Sequence, residues 1–116
     1  MGARLCSDFA IACCSWPIEK HGEGRKTVWK HLPVSGYYKI PFGCLLPIGL
    51  ENVLIAGRCI SATHEAQASV RVSAPAFAMG EAAGVAAAMA LKKGNQSRAI
   101  SVSELQTTLR AQGAIL

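Results

Sequence analysis

Val53-Leu54-Ile55-Ala56 is apolar at every position, and few folds accept such a run. A strand with one wet face alternates, whereas a strand apolar on both faces is covered on both sides, as in α/β sheets. It therefore needs neighbouring strands. The run ends in Gly57-Arg58 and leads, after a polar loop, into a segment of small residues from Ala74 to Leu91. A helix built from alanine and glycine packs little on its own behalf and lets another group come close.

The segments before that run read as β structure. Phe9 to Trp16 is a short apolar strand ended by Pro17, and His21-Gly22-Glu23-Gly24 is a turn. Thr27 to Leu32 alternates as a second strand. Tyr37 to Leu46 is a third extended segment, in which Pro41 implies an edge or a bend because proline donates nothing to a ladder. A turn over Pro47 to Asn52 precedes a buried strand at 52–57.

The remainder reads as helical. Pro75 suits a first turn, with Ser73 or Ala74 as the cap. The predicted helix covers 75–93 and stops at Gly94, with Lys92 and Lys93 against its negative end. Ser101-x-x-Glu104 matches a capping box and opens a helix over 102–112, with Val102, Leu105 and Leu109 on one face and Gly113 as its stop. A domain boundary falls near Pro47 to Gly49. The expected architecture is an α+β or α/β fragment: 1–48 supplies three strands of one sheet, and 49–116 one buried strand and two helices. One covered strand cannot form a doubly covered sheet, so the chain reads as the tail of something larger.

Composition narrows the function classes. A formal charge of +5 is mild, and its basic residues lie between Lys20 and Lys30 and between Lys92 and Arg98 without a long run. That pattern describes solvated basic loops, and a nucleic-acid partner is not expected. Five cysteines, an odd count, point to free thiols in a reducing, cytoplasmic setting. No metal site is expected: Cys59 and His64 are at most half of a ligand set, and Cys13-Cys14 point to opposite sides of a strand. Ala74 to Leu91 is alanine-rich and interrupted by Glu81, and it falls short of the roughly 20 strongly apolar residues of a membrane span.

The stretches "YYKIPFGCLLPIGLENVLIAGRCISATHEAQASVRV", "PAFAMGEAAGVAAAMAL" and "ELQTTLRAQGAIL" resemble the C-terminal end of a family of FAD-dependent oxidoreductases, within the glutathione-reductase-type flavoproteins. The resemblance covers nearly the whole chain and is specific from Tyr37 onward. It implies a Rossmann-like FAD-binding domain completed by residues 49–116, and makes the sheet of residues 1–48 part of a substrate-binding domain. Gly57 and Arg58 would lie beside the ribityl and pyrophosphate. The helix start at Ala74, Pro75, Ala76 and Phe77 would face the pyrimidine end of the flavin, its dipole favouring negative charge there. Gly80 and Gly84 would pack against the sheet or the cofactor-binding segments.

The family's G-x-G-x-x-G fingerprint does not occur here. The resemblance therefore implies an N-terminal FAD-binding portion as partner. The whole protein would be the enzyme, acting on a small-molecule substrate, and this chain alone would bind FAD weakly and be inactive. A non-catalytic binding or interaction module derived from a flavoprotein tail is the alternative. Open sheet edges would favour self-association.

His64 and Glu65 are the candidate catalytic residues, able to position substrate or simply to organise their loop. Arg71 has the same two readings, with an anionic substrate as its functional one. His21 and Tyr38 are candidates to line the substrate side. Cys59 reads as a buried, inert thiol, since nothing in the sequence around it makes a thiolate.

Overall fold

The structure, a computed structural model, describes residues 8–22, 24 and 26–116. Cys6 and the Glu23 of the expected turn lie outside those residues. Four short strands form two separate sheets, followed by three helices. Strand β1 (Ala10–Cys14) pairs antiparallel with β4 (Tyr38–Pro41), with a register irregularity between Ala10 and Ala12. Strands β2 (Ile18–His21) and β3 (Thr27–Lys30) form an antiparallel hairpin. Its turn includes Gly24 at φ 101°, a conformation that favours glycine.

This corrects the expected single sheet of three strands. Pro17 ends the first strand as expected, but the chain re-enters β structure at Ile18, so four strands form. The third segment is a strand only to Pro41, and Phe42–Leu45 then winds into a 3-10 turn.

The strand expected at 52–57 is not one. Residues 53–56 join no ladder; one backbone bond, Ile55 N–H to Leu45 O at 2.9 Å, ties them to the 3-10 turn, and Gly57–Cys59 begins another. An apolar strand cannot pair with a 3-10 turn, and its side chains are only half-buried or exposed.

Helix α1 (His64–Val70) has no counterpart in the sequence reading. Its cap is Thr63, whose hydroxyl accepts from Ala66 N–H at 3.2 Å. Helix α2 (Ser73–Lys93) starts two residues early, with Val72 at the cap position and no side-chain oxygen there. Its end follows expectation: Gly94 at φ 64° turns the chain, and Asn95 N–H reaches Ala90 O at 3.0 Å. Helix α3 (Val102–Ala111) is capped by the Ser101 hydroxyl, which accepts from Glu104 N–H at 3.3 Å. The Glu104 carboxylate meets Lys93 instead of closing the box, which ties the start of α3 to the end of α2.

The core lies where α2, α3 and β1 meet. Ile11, Leu45, Met79, Leu105 and Leu109 are fully buried. Met79, Ala82, Ala86 and Ala90 recur at helical spacing and form the buried face of α2, where alanine lets the backbones approach. Buried Gln106 of α3 donates to Ala10 O at 2.9 Å and Asp8 O at 3.3 Å, satisfying carbonyls on the free side of β1.

The opposite face of α2 is open. Among the described residues, nothing lies within 4 Å of a Cβ built on Gly80 or Gly84, so neither glycine packs against a described sheet. Phe77 and Leu91 on that face are 79% and 84% exposed. By length and composition α2 is long and apolar enough to cross a membrane, with a mean hydropathy of 1.4 over 18 residues, which the reading of Ala74 to Leu91 did not allow. Its buried face packs on β1 and α3.

Candidate functional site

Two neighbourhoods collect the residues singled out in the sequence. In the first, Gly57 stands at φ 76°, and a Cβ built there would lie 3.9 Å from Ala76 Cβ. Contact at that distance is ordinary, so the backbone conformation is what asks for glycine. The Gly57 turn thus lies against the first turn of α2. The first N–H groups of an α-helix have no intrahelical acceptor, Val72 supplies no cap, and Pro75 has no N–H. The N–H groups of Ser73 and Ala74 therefore point out of the helix, and both residues are exposed.

Pro75 is buried, Ala76 half-buried and Phe77 exposed. Arg58 is exposed, and its guanidinium makes no hydrogen bond or ion pair among the described residues. The sequence reading missed Gln67, whose Nε2 donates to Arg58 O at 2.6 Å and fixes the turn to α1. Its Oε1 is buried without a partner among the described residues. A helix one turn after Thr63 would have placed Gln67 under Arg58, but that helix was not foreseen. Cys59, expected to be buried, is exposed on the 3-10 turn, and its Sγ donates to Ala56 O at 3.0 Å. No group of three or more His, Cys, Asp or Glu among the described residues is placed to hold a metal ion.

The second neighbourhood is a cleft of about 230 Å³ between β2 and α1, lined by Glu19, Lys20, His21, His64, Gln67, Ala68 and Arg71. Positions 64, 67, 68 and 71 form one face of α1, and consecutive residues of β2 close the other wall. Arg71 donates to Glu19 Oε2 at 2.8 Å, and the same nitrogen lies 3.5 Å from His21 Nε2. Glu65, on the rim, pairs with Lys20; that hydrogen bond and charge, with help from Lys30 and His64, hold its carboxyl below the usual carboxylate range. The structure thus brings His21, His64 and Arg71 into one cleft, with Glu65 tied to its Lys20.

Tyr38 lies elsewhere, on the floor of an apolar cleft of about 280 Å³ lined in part by Ile40, Cys44, Ile60 and Val70. Its hydroxyl bonds Ser69 Oγ at 2.7 Å, and Ser69 donates onward to Trp16 O at 2.6 Å. Burial first, and then the neighbouring Cys14, push the phenol far above its ordinary range, so it is a fixed donor. Burial likewise raises Cys13, with Lys39 opposing.

With that geometry in hand, the comparison with known families is decisive for the class. The chain belongs to the FAD dependent oxidoreductase family, whose family model matches residues 1–109 of 116. No curated protein and no solved structure matches it.

Proposed function

We propose that this chain is the C-terminal portion of an FAD-dependent oxidoreductase of glutathione-reductase type, contributing the surface that faces the flavin. The observation that carries the reading is the contact of a left-handed Gly57 with the uncapped start of α2. The residues present fit FAD there. Gly57 presents backbone without a side chain, Arg58 has an unengaged guanidinium, and Ser73 and Ala74 offer outward N–H groups at the positive end of a 21-residue helix. When bound, FAD supplies the ring that accepts and releases electrons.

The chain's own residues would do the rest. Arg58 would meet phosphate or ribityl oxygens, and the first turn of α2 would offer its dipole to the electron-rich side of the ring. Exposed Phe77 would cover an edge of it. The ADP half needs a G-x-G-x-x-G portion that would complete a Rossmann-like domain, and the open face of α2 around Gly80 and Gly84 is where this chain has room for more structure.

Titrating the purified chain with FAD, followed by flavin fluorescence, tests this. Weak or absent binding at high-micromolar FAD is the expected result, and stoichiometric binding would overturn the account of a separate nucleotide-gripping portion. Reconstitution with that portion as a second chain is expected to give a bound-flavin spectrum that Gly57→Val abolishes. A spectrum unaffected by Gly57→Val would sink the assignment of this surface.

A further inference from the structure

We propose that the cleft between β2 and α1 binds a small monocarboxylate carrying a second polar group, with the carboxylate on Arg71 and the polar group on His64. Lys20, His21, His64 and Arg71 line the cleft together with Glu19, and Glu65 pairs with Lys20 from beside it. Arg71 commits one terminal nitrogen to Glu19 and His21. Its remaining N–H donors have no partner among the described residues, and a guanidinium carries five in a fork that matches a carboxylate. Glu19 already shows a carboxylate seated on this guanidinium, at 2.8 Å.

His64 lines the cleft and makes no hydrogen bond or ion pair among the described residues. It lies two turns before Arg71 on the same helix face, so the two Cα atoms are about 10 Å apart along α1. The small side chain of Ala68 lies between them on the lining face. That span and a volume of about 230 Å³ suit a short acid with its carboxylate at one end and a hydroxyl or carbonyl at the other.

Charge selects the carboxylate over a phosphate. Glu65 neutralises Lys20 and Glu19 neutralises much of Arg71. A dianion beside Glu19 would meet repulsion that a single charge largely avoids. The lining uses neither Gly57 nor the start of α2, so the proposal stands or falls separately from flavin binding.

The test is an NMR titration of the isotopically labelled chain, at constant ionic strength, with butyrate, 4-hydroxybutyrate and inorganic phosphate. Saturable shifts are expected at the His21 and His64 rings with both acids. The ring of His31, stacked on Trp29 outside the cleft, serves as the internal control. Arg71→Gln should weaken both acids about tenfold, the cost of one charge-assisted contact. His64→Ala, at an exposed residue that holds nothing in place, should weaken 4-hydroxybutyrate and leave butyrate unchanged. Three results would overturn the proposal: shifts at His31 that match those at His21 and His64, no saturation by about 50 mM acid, or phosphate binding about tenfold tighter than either acid.

Discussion

The two faces of α2 share a composition and differ in what they meet. Met79, Ala82, Ala86 and Ala90 lie against β1 and α3, where every methyl group displaces water. Phe77, Gly80, Gly84 and Leu91 are exposed, and a Cβ built on either glycine would meet nothing within 4 Å among the described residues. Alanine and glycine alone therefore do not say which side of a helix is finished. Only the neighbours do.

The sharpest way to break that contrast is to cut into each face. Leu105→Ala, opposite the buried face, should cost about 2–5 kcal/mol in chemical denaturation. Leu91→Ser on the open face should change stability by less than about 0.5 kcal/mol. Equal losses would show that the open face is packed in solution. Next in size, Ala86→Leu should destabilise by about 1–3 kcal/mol through overpacking. Gly84→Ala, with free space and helical geometry, should instead stabilise this chain by up to about 1 kcal/mol in thermal unfolding. If the open face receives the FAD-binding portion, Gly84→Leu should block reconstitution while leaving this chain folded, and a normal flavin spectrum would show that nothing docks there.

The smallest effect is electrostatic. Lys20 lowers the pKa of Glu65 in the folded chain, so its contribution to stability is present above the unfolded carboxyl's pKa and fades as pH falls through the folded value. Lys20→Gln should return the Glu65 titration, read by NMR, towards the ordinary range, with little change in global stability because the pair is exposed.

What the sequence made legible was local. Gly24 in the hairpin turn, Gly94 with Lys92 and Lys93 at the end of α2, and the Ser101 cap each follow from a few neighbouring residues. The run Val53 to Ala56 failed because a strand is defined by its partner, and here that partner is a 3-10 turn. Helix α1 was legible in Thr63 followed by Glu65, Ala66 and Gln67, but the resemblance drew attention to its polar residues as a loop. Gly57 and the start of α2 were singled out in the sequence as one neighbourhood. The β2–α1 cleft was not, because it joins residues some 50 positions apart through a hairpin that sequence spacing did not align with α1.

The hairpin has one more consequence. All four residues of β3 are exposed, and β2 is tied to α1 by the Glu19–Arg71 and Lys20–Glu65 pairs, with no β2 or β3 residue among the buried core. Such a module opens at a free energy of its own, below that of α2 and α3. In native-state hydrogen exchange its amides should form a separate, faster class. Raising the salt should widen the gap, because it screens those tethers and leaves burial alone.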